Sequence, residues 1–358
     1  MNDEQFGFSQ EELLGRKSPP LEVIGVDEWI AGRRVAITGA AGSVGSPLAR
    51  QVATFGPAEL LLLDHHEHTL FRLRQEMGNV GDVRVRWALA DVRDRRKLES
   101  LFQAARPEVV FHLAAYKHVP LGEENPDQTV NLAGTRNVVV AAAGCGAARV
   151  VYPSSDKAVN PPSIYGSTKK IAEALALAAN SRSSTGCSVS RFVNIVGTRG
   201  SVVETFAGQI AAGRPLTLTS PEMTRYWITM SEAVRLLVQT AAAHETGVLY
   251  MPDPGPPINL VEMARHLFGL LAASDGSECP IRIVGARPGE RMHEILLSET
   301  ESAEPTPYPG IVRVVTSRTD LPGYEELSGQ IDALLELAAA GELAALRRRV
   351  LDLAHSLQ

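Results

Sequence analysis

The segment that most limits what this chain can fold into is RVAIT, residues 34–38, running straight into Gly39, Gly42 and Gly45 spaced three apart. The short apolar run reads as a buried strand, and the apolar spacing from Leu48 onward reads as a helix. Glycines between the two permit a sharp turn and let another group approach the backbone closely. A helix N-terminus directly after such a turn offers unpaired N–H groups and a favourable dipole to phosphates. A bare glycine triplet is weak evidence, but strand, turn and helix together are the context that a dinucleotide loop requires. Gly39, Gly42, Ser43, Val44 and Gly45 are therefore candidate cofactor-binding residues.

The same alternation continues. Apolar runs at 35–37, 60–63, 83–88, 109–113 and 150–152 are separated by stretches of helical spacing at 48–55, 70–77, 98–105 and 130–143. Runs such as LLLLD are too apolar for a half-exposed strand and predict burial on both faces. The fold class predicted is α/β, a Rossmann-type doubly wound parallel sheet, with a smaller mixed α/β substrate-binding domain. Residues 1–32 form an N-terminal extension, and 33–194 the dinucleotide-binding domain with the catalytic segment. The smaller region spans 195–318, with helices near 206–212, 233–243 and 260–272, and C-terminal helices fill 319–358. Residues 301–309, rich in Pro, Glu and Thr, are predicted as an exposed loop.

Composition excludes several classes. Hydrophobic residues at 44% and charged residues at 21% match a globular protein rather than a disordered one. A formal net charge of -6 argues against a nucleic-acid surface. Cys145, Cys187 and Cys279 show neither metal-ligand nor redox spacing and fit a reducing compartment. The N-terminal residues are too polar for a secretory signal, and no apolar run reaches the ~18–20 residues of a membrane span. A soluble, cytoplasmic protein is expected. His65, His66 and His68 read as a solvated loop, and no metal is predicted.

Asp64 closes the second strand, 19 residues beyond Gly45. A carboxylate there accepts from ribose hydroxyls and repels a 2′-phosphate, which favours NAD over NADP. Asp91, after the third strand, is placed to meet the adenine amino group, and Val92, Ala114 and Ala115 are assigned to the same cofactor site. Asp64 and Asp91 could instead serve as helix caps, the minor alternative.

The densest chemistry lies in YPSSDKAVNPPSIYGSTKK, residues 152–170. Tyr165 and Lys169 stand four apart, on one face of a helix starting near Tyr165. An ammonium beside a phenol lowers the phenol's pKa, so Tyr165 can take a proton from a hydroxyl as hydride leaves for a nicotinamide.

Taken with ELLGR, TGAAGSVGS, HLAAYKHVPLGEENP, SVVETF, MTRYWIT and GARPGERMHEIL, this segment resembles the UDP-N-acetylglucosamine 4,6-dehydratases of polysaccharide biosynthesis. These are extended short-chain dehydrogenase/reductases, and the likeness spans roughly residues 12–300. It implies oxidation at C4 of a nucleotide sugar, loss of water across C5 and C6, and return of the hydride to C6. It further implies Asp156 as acid, Lys157 as base and Ser155 as a hydrogen-bond partner of the 4-oxygen. An ordinary surface Asp–Lys pair is the alternative reading. Some relatives carry an N-terminal membrane region, whereas here ELLGR stands without one. Tyr165 and MTRYWIT resemble the C5-inverting branch and YKHVPLGEENP the membrane-linked one, which leaves the C5 configuration open.

On the substrate side the resemblance implies that Asn194, Arg225, Arg287 and Glu290 hold the nucleotide diphosphate and its ribose. Arginine suits a diphosphate through bidentate, charge-assisted bonds, although each of these residues could serve an ordinary salt bridge. Asn131 is expected to support the site and Lys117 to reach a phosphate. A 5,6-dehydratase or an epimerase shares the loop and the Tyr–Lys pair, and a non-catalytic NAD-binding regulator would lose them. The Asp156–Lys157 pair favours dehydration. Pairing of two helices across a two-fold axis predicts a homo-oligomer.

Overall fold

The computed structural model describes residues 8–20, 22–127, 130–272, 278–285 and 289–358. Among them a nine-stranded sheet forms the centre. Its strands are β1 Arg34–Thr38, β2 Glu59–Asp64, β3 Arg84–Leu89, β4 Val109–His112, β5 Arg149–Ser155, β6 Gly186–Phe192, β7 Leu249–Pro252, β8 Glu301–Pro305 and β9 Ile311–Thr316. They lie in the order β8-β9-β7-β6-β5-β4-β1-β2-β3. β3 through β7 pair in parallel, and only β9 runs against its neighbours β7 and β8.

Side-chain alternation divides the core into two layers. Val35, Ile37, Leu60 and Leu62 pack on one face against Leu48 and Val52 of helix Gly45–Thr54. Ala36, Leu61 and Leu63 face the other way and meet Leu98, Phe102 and Val138. Both faces of β2 are thus covered, which explains its uninterrupted leucines. A separate apolar cluster, including Phe206, Trp227, Leu260 and Leu267, closes around Leu13 and Leu14 of the N-terminal segment.

Two features depart from the sequence expectation. The sheet does not stop at residue 194, because β7, β8 and β9 extend it. Residues 301–305, expected as part of a loop, form edge strand β8. Composition hides this strand because its anchor is charge. Glu301 carboxylate oxygens accept from both Arg191 Nη atoms on β6 at 2.8 Å, and Pro305 sits at the strand end, where a missing donor is tolerated.

The helical stretch expected at 130–143 opens with a π turn, Val130–Gly134, before helix Thr135–Cys145. The terminal helices Tyr324–Ala339 and Leu343–Ser356 lay Leu327, Ile331, Leu346 and Val350 into the core layer that holds Ile171 and Leu175 of helix Ile164–Ala178. No helix among the described residues is long and apolar enough to cross a membrane.

Candidate active site

Strand order reverses between β1 and its two neighbours, β2 and β4, so their carboxyl ends diverge and leave a crevice. A cleft of about 1080 Å3 opens there, lined by the turn after β1, the segments after β4, β5 and β6, and residues 289–294.

The glycine turn is shaped for close approach. Gly39 has φ +66°, and a Cβ on it would lie 2.6 Å from Ala114 N. A Cβ on Gly45 would lie 2.1 Å from the Gly39 carbonyl oxygen. Neither position accepts a side chain without moving backbone, and the resulting cradle fits a dinucleotide. Asp64, at the end of β2, accepts from the N–H groups of Ala41 and His66, both at 3.0 Å. The carboxylate braces the loop and retains lone pairs for a ribose.

Asp91 is bound by Arg93, whose Nη2 lies at 2.6 Å and Nε at 3.0 Å. That hydrogen bond holds its carboxyl below the usual range, so an internal cation occupies the group expected to face adenine. Val92 lies against Gly134, the Ala114 N–H donates to Thr38 Oγ1, and Ala115 lines the cleft. Arg199, after β6, crosses over the turn: its N–H donates to Ser43 Oγ at 3.1 Å and its guanidinium to the Ala41 carbonyl at 3.3 Å.

At the end of β5, Ser155 is extended and caps the one-turn helix Asp156–Ala158. Its hydroxyl donates to Asp156 Oδ1 at 2.9 Å. Asp156 is 1% exposed, and its Oδ2 is buried without a partner. Burial drives this carboxyl above its ordinary range, with Lys157 opposing and Glu294 adding to the rise. Lys157 Nζ lies 3.0 Å from Asp156 Oδ1, 3.3 Å from Glu294 Oε1 and 3.3 Å from Asn194 Oδ1. Burial works against the ammonium, but the two carboxylates outweigh it and hold Lys157 above its usual pKa. The residue that the family resemblance assigns as base therefore rests here as a pinned cation.

Ser163 caps helix Ile164–Ala178, which carries Tyr165 and Lys169. Lys169 Nζ donates to the Pro153 carbonyl at 2.5 Å and lies 4.4 Å from the centre of the Tyr152 ring. Burial pushes it down to about 7. Tyr165 differs from expectation, since burial raises its phenol above the ordinary value and the ammonium that opposes the rise belongs to Lys157. Lys169 is turned toward the β5 backbone instead. Asn131 accepts from Tyr116 N–H and donates to the Tyr116 carbonyl and Thr168 Oγ1, each at 3.0 Å, which ties the segment after β4 to the same helix.

The expected diphosphate ligands are differently employed. Arg225 donates to the carbonyls of Thr224, Arg291 and Met292, and its Nε lies 3.3 Å from Glu294. The Asn194 amide is taken by Lys157 and the Tyr226 carbonyl. Both residues frame the site instead of presenting free donors. Glu290 lines the cleft and accepts from Thr219 Oγ1 at 3.3 Å, and Lys117 lines its mouth. Arg287 lies outside the described residues. Arg291 and Glu294 were not singled out from sequence. Both lie in GARPGERMHEIL, where the resemblance pointed to Arg287 and Glu290, and the charge following Glu290 was the signal available.

A doubly wound α/β chain with a glycine cradle and an acid–lysine–tyrosine cluster in one cleft is the class this geometry defines. Its sequence matches the family described as polysaccharide biosynthesis protein over residues 35–316, and the chain belongs to that family. It is 41% identical over 295 residues to "Probable polysaccharide biosynthesis protein EpsC" of Bacillus subtilis, covering 81% of this chain and 49% of the relative. It is 32% identical over 279 residues to "UDP-N-acetylglucosamine 4,6-dehydratase (inverting)" of Campylobacter jejuni, covering 76% and 79%. Among solved structures, Pen from Bacillus thuringiensis superposes with a TM-score of 0.74 at 27% identity, covering 85% of this chain and 99% of that one. The chain spans about half the length of its Bacillus subtilis relative.

Proposed function

We propose that this chain is an NAD-dependent nucleotide-sugar 4,6-dehydratase whose substrate is UDP-N-acetylglucosamine. The observation that carries the proposal is the buried Asp156–Lys157 pair, whose lysine lines the cleft that also contains the glycine cradle and Tyr165. An epimerase needs a proton acceptor for one hydroxyl but no acid–base pair for losing water. The 32% identity with the Campylobacter jejuni enzyme supports the sugar assignment.

Gly39, Gly42 and Gly45 admit the pyrophosphate, and Asp64 disfavours a 2′-phosphate. NAD held by this cradle would supply the hydride chemistry, as acceptor for C4 of the sugar and donor to C6. Tyr165 is the acceptor of the C4 hydroxyl proton in its phenolate form, which the Lys157 ammonium favours against the burial that raises the phenol. Asp156, whose burial raises its carboxyl above the ordinary range, is the candidate proton donor to the departing C6 hydroxyl. Lys157, once its proton has passed to the Asp156 carboxylate 3.0 Å away, is placed to take the C5 proton made acidic by the 4-ketone. Arg291, beside Asp156 and Glu294 and donating to the Val159 carbonyl at 2.9 Å, is a second cation lining the cleft.

The test is incubation of purified protein with NAD and UDP-N-acetylglucosamine, followed by mass spectrometry. Wild-type protein is expected to yield a nucleotide sugar lighter by one water. Tyr165→Phe protein that still binds NAD is expected to lose at least about 100-fold in rate. Wild-type protein that leaves every nucleotide sugar intact would overturn the assignment.

A further inference from the structure

Glu294 is a second carboxylate on the Lys157 ammonium. Its side chain is 4% exposed, and its Oε1 lies 3.3 Å from both Lys157 Nζ and Arg225 Nε. A residue serving only to anchor Arg225 has no need to reach Lys157 as well. Charged groups converge on this point from every element around it. Asp156 and Lys157 come from the turn after β5, and Tyr165 from helix Ile164–Ala178. Arg225 comes from strand Thr224–Arg225, and Arg291 from the segment that bears Glu294 itself. The Asn194 amide completes the surround. Buried charges persist at such density only when each is compensated, and one ammonium shared by two carboxylates couples all three protonation states.

We propose that Glu294 is a positioning residue of this site: its carboxylate holds Lys157 against Asp156 and sets how the pair shares protons between acid and base. This inference rests on the dehydratase reading and deepens it. In that reaction Asp156 works protonated and Lys157 works unprotonated. Glu294 adds negative charge near both, which raises the proton affinity of each. Removing that charge lowers both affinities. Activity that requires neutral Lys157 then appears at lower pH, and activity that requires protonated Asp156 is also lost at lower pH. The whole kcat profile moves toward acid.

The experiment is the pH dependence of kcat and KM for Glu294→Gln beside wild type, with NAD affinity and Tm read on the same samples. Both limbs are expected to move about one pH unit toward acid. At a fixed pH on the alkaline limb kcat should fall about tenfold, one pH unit along that limb, with KM changed far less. Glu294→Asp, which keeps the charge, should hold the limbs at their wild-type positions and serves where the glutamine variant does not fold. Limbs that stay in place for Glu294→Gln, or move for Glu294→Asp, would overturn the proposal.

Failure of the dehydratase reading shows separately, as wild-type protein that removes no water. Infrared difference spectroscopy of the Asp156 carboxyl, assigned with Asp156→Asn, would then decide the point, since Glu294→Gln must still shift its titration toward acid.

Discussion

Asp156 illustrates how a single position acquires chemistry from its surroundings. A surface aspartate is solvated, but here the side chain is buried at the end of β5 with one oxygen unpartnered, which raises its proton affinity. Asp156→Asn retains shape and removes the proton, so kcat is expected to fall about 10²- to 10⁴-fold with NAD affinity unchanged. Stopped assays and NAD titration check both halves. Gly45→Ala tests the cradle, because its Cβ would press on the Gly39 oxygen. Loss of NAD binding together with a lower Tm is expected, measured by calorimetry.

Lys169 carries a pH signature. Its amine is pushed down to about 7 in the fold, against 10.5 for the free side chain. Between those values the folded chain has released this proton while the unfolded chain still binds it. Stability from this group therefore rises with pH from about 7 to about 10. Relative to Lys169→Met, the Tm of wild type should climb over that window. The pair of positions was legible from the YxxxK spacing, but the partner of each was not. Spacing places two side chains on one helix face without saying that one turns to the Pro153 carbonyl. Glu294 was hidden for a plainer reason, since more than a hundred residues separate it from Lys157.

At the scale of elements, the hairpin of β8 and β9 is held by buried charge. Arg191 is fully buried between Glu173 and Glu301, and Lys170 lies beside them. Burial works to raise Glu173, but Arg191 and Lys170 outweigh it and bring it down to about 2. Glu301→Ala leaves Arg191 short of one partner and should cost about 3–5 kcal/mol in urea unfolding. The chain end after helix Leu343–Ser356 reaches the turn that follows β5: Gln358 accepts from Asn160 N–H at 2.9 Å and donates to the Ala158 carbonyl at 3.2 Å. Leu346→Ala in that helix should cost about 2–5 kcal/mol, the usual range for a buried leucine. The helices and buried strands of the first half were legible from apolar periodicity. β8 was not, because ESAEP lacks that period and its place in the sheet depends on a distant arginine.

At the scale of the whole molecule, one sheet edge gathers everything the proposed reaction needs. The turns after β1, β4, β5 and β6 end on the same cleft, so residues far apart in sequence meet within hydrogen-bonding distance. In the proposed reaction, oxidation, loss of water and hydride return all occur at this one site. The direct test is conversion of UDP-N-acetylglucosamine deuterated at C4, in ordinary water, with the product read by mass spectrometry and proton NMR. A dehydrated product with the C4 deuterium in a CH2D group at C6 is the predicted result. A product with a 5,6-alkene, a methyl group without the deuterium, or a C4-inverted sugar that has kept its water would contradict it.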